Sequence, residues 1–344
     1  MSTKNNPYRK LSERAFWRKA ISARHFLDIE DVCEPIQLSL EDKIATAGSC
    51  FAQHIRHHLR ANGANYLDLE PKPNFLPDEK EKLYGYGIYS CRYGNIYTAR
   101  QLLQLFEEAM GLRTPMDSVW EMKGRYFDAL RPSVDPVGQP SLQAVAQART
   151  VHLKRVREMF ETLDVFLFTL GLTEAWIAKE DGTVYPTVPG SIAGTFDPDK
   201  YIFRNFRYPE ILDDLNAFWK GVKTLNAAAR MLLTVSPVPL VATASGHHVL
   251  PATIRSKSVL RAVAGDLAED CEEIFYFPSY ELIASHPTRG TFFDPDLRNV
   301  NKVGVQIVMK HFFQSFGEKR ENFEEFVEEF VCDEEIAIDR VQAE

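Results

Sequence analysis

Ser49 has the surroundings most suited to chemistry in this sequence. It follows Gly48, between the short apolar run Ile44–Ala47 and a segment whose residues Phe51, Ile55 and Leu59 recur at four-residue spacing. A strand that turns through Gly-Ser into a helix holds the serine Oγ clear of the sheet. It also aims helix N-terminal amides at the same point, where they can stabilise the oxyanion of a tetrahedral intermediate. Gly48 supplies the backbone freedom for such a turn, and Ala47 leaves room beside it. The chemistry is nucleophilic attack on an acyl carbon. The competing role for Ser49 is a plain helix N-cap. A capping box would then place Glu or Gln three residues on, where the sequence has Ala52. Cys50 points away from the site whenever Ser49 points into it, and reads as a buried, inert thiol.

A serine nucleophile needs a proton acceptor. His54 lies five residues along the same helix, and His286 in "ASHPTRG" and the pair His247-His248 in "ASGHHVL" follow other apolar runs. With nine histidines in the chain, most are surface or structural residues. Glu174 follows a buried strand, where desolvation raises a carboxyl pKa; its alternative role is to accept from neighbouring loop amides. Arg298 and Arg289 suit an anionic substrate group, or equally a pairing with Asp294 or Asp296.

The elements that must position these residues are short apolar strands: Ile44–Ala47, then "VFLFTL" from Val165, "MLLTV" from Met231 and "IFYF" from Ile274. Helical patterns flank them. Leu102, Leu105, Phe106 and Ala109 form one, opened by Thr98 and Gln101 as a capping box. Leu260, Val263, Ala264 and Leu267 form another, and Val300, Val303, Ile307 and His311 a third. This alternation predicts a mainly parallel sheet covered on both faces, with ligands beyond the carboxyl ends of its strands. Residues 1–40 read as a wrapping segment and 41–316 as the main α/β domain. That domain carries an irregular insertion at about 71–140 and a hairpin at about 176–186 that turns at Asp181-Gly182. In the acidic segment 317–344, Phe323, Phe326, Val327 and Phe330 form a stripe that predicts a docked helix.

Composition narrows the function. The apolar fraction of 45% supports a sizeable core, and a net charge of -8 lacks the basic footprint of a nucleic-acid binder. The first segment has no secretory apolar run, and no stretch reaches the roughly 18 apolar residues of a membrane span. Five scattered cysteines form no C-x-x-C pair, so a reduced, cytoplasmic protein is expected. Adjacent histidines make awkward joint ligands, and no nucleotide-binding glycine motif is present; neither metal nor cofactor is expected.

"GSCFAQHI" resembles the signature of the GSCFA family, a branch similar to the SGNH hydrolases. "YGNIYTARQLL", "TLGLTEAW", "LTVSPVPLVATASG", "SKSVLRAVAGDLA", "YFPSYE" and "DLRNVNKVGV" resemble its further blocks in order, over Lys43 to Phe313. The resemblance implies a flavodoxin-like three-layer α/β/α sandwich with an acyl-ester site at the strand ends. It implies Ser49 as nucleophile and an oxyanion site built from the serine amide, a glycine amide and an asparagine. Gly94 corresponds to the glycine, with Asn95 beside it. Gly171 opens the next block, where Thr173 and Glu174 stand in place of the asparagine. The Asp-x-x-His that supplies the base in SGNH enzymes is here Asp296-Leu-Arg-Asn299. An asparagine amide cannot carry the proton at neutral pH.

Two functions follow as expectations. One is an acyl-ester hydrolase or O-acyltransferase acting on a carbohydrate-type ester, with a small-molecule or glycan partner. The other is a glycan-binding or scaffolding protein that keeps the fold without the chemistry.

Overall fold

The computed structural model describes residues 6–36, 38–317 and 332–343. In chain order its main elements are β1 (Ile44–Gly48), α1 (Ala52–Ala61), α2 (Ala99–Ala109), β2 (Val119–Met122), β3 (Arg125–Asp128), α3 (Leu142–Thr162), β4 (Val165–Leu170), β5 (Glu174–Ala178), β6 (Val184–Tyr185), β7 (Tyr201–Asn205), α4 (Tyr208–Leu225), β8 (Arg230–Val235), α5 (Val249–Asp270), β9 (Ile274–Phe277), α6 (Ser279–Ala284), α7 (Lys302–Ser315) and α8 (Asp333–Ala343). The four apolar runs form one sheet in the order β1-β4-β8-β9. β1, β4 and β8 run parallel, in a register that sets Ile44 beside Val165 and Val165 beside Arg230. Helices lie on both sides of this sheet, so β1 and β4 are buried along their whole length.

Beyond β1 the sheet continues only as a stub. Ile44 N donates to Asn65 O and Leu67 N to Ile44 O, each at 2.9 Å, making a single parallel bridge to Tyr66. On one side of the sheet Phe106, Phe160, Phe166 and Phe218 interlock, with centroids 5.4 to 5.7 Å apart. Gly221 admits this cluster, because a Cβ there would lie 2.4 Å from the Phe106 ring.

Local signals act as their chemistry dictates, with one difference. Thr98 Oγ1 caps α2 by accepting from Gln101 N at 3.1 Å, but Gln101 Oε1 accepts from Tyr97 N and not from the Thr98 amide. The capping box is therefore half formed. The hairpin β5–β6 turns at Asp181-Gly182, and β7 joins its open side to make a second, antiparallel sheet. The Pro- and Gly-rich region between α2 and α3 contains a further hairpin, β2–β3.

The chain divides into two compact units, residues 1–37 with 277–325, and residues 38–276 with 326–344. In the first, Asn301 Oδ1 caps α7 through Gly304 N at 3.0 Å, and Trp17 stacks on His286 at 5.2 Å. The stripe Phe323, Phe326, Val327 and Phe330 lies outside the described residues. Among those residues no helix is long and apolar enough to cross a membrane.

A buried ion cluster ties the second unit together. Asp128 at the end of β3 accepts from Arg131 Nε at 2.8 Å and from Arg149 Nη1 at 3.0 Å, while Arg149 also holds Glu108 of α2. Burial pushes the Asp128 carboxyl up, but the two guanidiniums outweigh it and hold it down to about 2. Because this value is lower than in the unfolded chain, the stabilisation is complete above about pH 4. It is lost as pH falls from there toward 2. Thermal melting as a function of pH should show that acid loss in the parent protein. Asp128→Ala, which removes the carboxylate shared by two buried guanidiniums, should cost about 3–5 kcal/mol at neutral pH.

Candidate active site

β1 ends in a turn that only glycine can make. Gly48 has φ +139, and a Cβ there would lie 2.5 Å from Thr169 O on the neighbouring strand. Ser49 then continues the ladder by one bond, its amide donating to Thr169 O at 3.2 Å. The bonds Ala52 N to Ser49 O at 2.9 Å and Gln53 N to Cys50 O at 3.1 Å close the turn into α1. The helix therefore begins beyond Ser49, which is not its N-cap. Ser49 is 3% exposed, and its Oγ has no hydrogen-bond partner among the described residues. Thr169 Oγ1 beside it is in the same condition.

Gly171, one residue past β4, packs against this turn. A Cβ on Gly171 would sit 3.1 Å from Ser49 Cβ and 3.1 Å from Tyr97 O. The amides of Gly171 and Leu172 both donate to Tyr97 O at 3.1 Å. The Gly171 carbonyl receives the ammonium of Lys257, a fully buried residue of α5, at 2.6 Å. On the other side, the Tyr89 hydroxyl lies 2.9 Å from Ser49 O and 2.6 Å from Asn95 Oδ1. Burial holds the Tyr89 phenol well above its ordinary pKa, so it stays protonated. Asn95 N donates to Asp333 Oδ2 at 3.4 Å, and its carbonyl accepts from Gln101 Nε2 at 3.0 Å. Burial pushes Asp333 up to about 6, against hydrogen bonds from Ser133 and Asn95. Gly94, with φ +69, provides the bend that carries the chain past Asp333.

The residues anticipated from sequence divide into three groups. Ser49, Gly171, Gly94 and Asn95 are brought together at the carboxyl edge of β1 and β4. Two of the expected oxyanion donors are nevertheless engaged, the Ser49 amide by Thr169 and the Asn95 side chain by Asp333 and Tyr89, and the Gly171 amide is held by Tyr97. Thr173 and Glu174 form an adjoining polar group. Thr173 Oγ1 donates to Asn205 Oδ1 at 2.8 Å, and Glu174 accepts from Thr243 Oγ1 at 2.8 Å and Asn205 Nδ2 at 3.2 Å. Burial raises the Glu174 carboxyl.

The third group is the set of histidines, together with the Asp296 turn. No hydrogen bond joins His54 to Ser49 Oγ. Its ring packs on Phe51 at 5.4 Å, and burial, with His58, His57 and Lys82 nearby, pushes it down to about 3. His248 caps α5 through Leu250 N. His286, Asp296, Arg298 and Asn299 belong to the first unit. There Asp296 Oδ1 accepts from the amides of Arg298 at 2.9 Å and Asn299 at 3.0 Å, and Asn299 Nδ2 donates to Asp296 Oδ2 at 2.7 Å.

Sequence reasoning missed Tyr89, Lys257 and Asp333. Among the described residues no cluster of three or more His, Cys, Asp or Glu stands ready to hold a metal ion.

The family model of the GSCFA family matches residues 43–312. Among solved structures, an acetyl esterase mutant with acetate ion is similar at 13% identity and a TM-score of 0.28, covering 64% of this chain and 91% of its own. A carbohydrate esterase family 3 structure from Talaromyces cellulolyticus is similar at 13% identity and a TM-score of 0.27, covering 62% and 87%. No curated protein matches at a significant level.

The close packing at Gly171 is testable. Gly171→Ala should cost about 1–3 kcal/mol through overpacking and lower Tm by several degrees. Gly182→Ala, at φ +70 with open space around it, should cost only about 1 kcal/mol of backbone strain. Differential scanning calorimetry of the two variants checks the order.

Proposed function

The chain belongs to the GSCFA family, and from that premise we propose that it is an acyl-ester hydrolase or O-acyltransferase in which Ser49 attacks the ester of a carbohydrate or polysaccharide. One observation carries the reading: a buried serine hydroxyl with no partner among the described residues, on a strand-to-helix turn at the carboxyl edge of a parallel sheet. A buried hydroxyl normally finds a partner, so one left without stands out as a reactive group. Ser49 Oγ adds to the ester carbonyl carbon and its proton passes to a base. The carbon–oxygen bond to the alcohol breaks, and the departing oxygen takes up a proton. The acyl group stays on Ser49 until water or a sugar hydroxyl accepts it.

The donors for the oxyanion are the amides at the rim, which must exchange Thr169 O or Tyr97 O for the substrate. Glu174, three residues past Gly171 and raised by burial, is the proposed proton acceptor in this unit. No disulfide joins any of the five cysteines, which fits a reducing compartment; the cytoplasm is the proposed location.

A specific observation favours a second reading, a glycan-binding protein on the same fold. Ser49 Oγ is enclosed, and no imidazole or carboxylate is hydrogen-bonded to it. Two measurements separate the readings. The parent protein should take a fluorophosphonate label on Ser49 and turn over acyl esters of sugars or of p-nitrophenol. Ser49→Ala should lose the label and at least a thousandfold in kcat. Equal turnover by parent and variant rules out the serine mechanism, and absence of both label and turnover favours the binding protein.

A further inference from the structure

The unit that contains Ser49 also holds a cavity of about 300 Å³. Its near end is formed by Tyr97 and Leu172, whose backbones close around Gly171 and thus back onto the Ser49 turn. Trp176, Tyr185, Phe203 and Ile338 supply much of the wall. Thr98, Gln101, Thr187, Glu334 and the Thr243-bound Glu174 add polar groups, and the larger part of the lining is hydrocarbon. An apolar cavity of about 150 Å³ is enough for a benzene molecule. An acetyl group would therefore leave most of this space unfilled.

We propose that this cavity holds the apolar acyl chain of the ester, and that the preferred substrate carries an acyl group of roughly eight carbons, well beyond acetyl. The inference rests on the reading of Ser49 as an acyl-transfer nucleophile and names the group transferred. Each methylene that enters such a cavity strengthens binding about three- to fourfold. The wall includes Ala337 of α8, which is 3% exposed. A phenyl group at that position would fill space the chain needs.

The test uses the intact protein and two readouts. Across p-nitrophenyl acetate, butyrate and octanoate, kcat/KM should rise with chain length. Ala337→Phe should lower the octanoate-to-acetate ratio at least tenfold. Independently, calorimetric titration with 1-octanol should show binding to the parent protein and to Ser49→Ala, and none to Ala337→Phe, with circular dichroism confirming that each variant is folded. Octanol binding without any ester turnover supports the cavity assignment and overturns only the role of Ser49. Absence of octanol binding, or a preference for acetate, overturns the proposal.

Discussion

Three backbone segments meet within van der Waals contact at the carboxyl edge of β1 and β4, and two of them can do so only because they carry no side chain. Gly48 lies against Thr169 and Gly171 against Ser49 and Tyr97, at separations a Cβ would close to 2.5 and 3.1 Å. The two glycines differ in what they provide. Gly48 needs its backbone conformation as well as the space, whereas Gly171 needs the space alone. The contact fixes where Ser49 emerges from the sheet, and it also uses the amides of Ser49 and Gly171 as stitches to Thr169 and Tyr97. Rigid placement of the hydroxyl and free oxyanion donors thus compete for the same backbone groups.

The surroundings reinforce the stitch from two directions. From α5, Lys257 reaches the Gly171 carbonyl and Ser256 Oγ accepts from Thr173 N at 3.0 Å, so one helix fixes both ends of the loop after β4. A fully buried ammonium is costly unless its hydrogens are taken up, which makes this carbonyl a binding partner and not an incidental neighbour. From the opposite side, Tyr89 bridges the Ser49 carbonyl and Asn95, and Asn95 in turn engages Asp333. Segments far apart in sequence therefore converge on a single turn.

This convergence explains how much the sequence revealed. The strands of the main sheet were legible because runs such as "VFLFTL" are too short and too apolar for anything but a buried strand. Ser49 was legible because its turn is encoded within a few adjacent residues. β7 was not, since Tyr201–Asn205 is short, has only Tyr201 buried and carries an Arg and an Asn. Lys257 looked like one more charge on an amphipathic helix, and Asp333 like part of a solvated acidic stretch; only tertiary packing buries them. His54 shows the converse. Its spacing from Ser49 suggested a base, but burial pushes its imidazole down to about 3.

The absent Asp-x-x-His histidine can be weighed in the same terms. Asn299 holds Asp296 through an amide that cannot take up a proton. Burial pushes Asp296 up, but the Arg298 and Asn299 amides and the Asn299 side chain outweigh it and hold it below its ordinary value. On Glu174 and Asp333 burial prevails, because hydrogen bonds only partly offset it. A general base works best with a pKa near the working pH. In the unit that contains Ser49, burial thus moves the Glu174 and Asp333 carboxyls up and the His54 imidazole down.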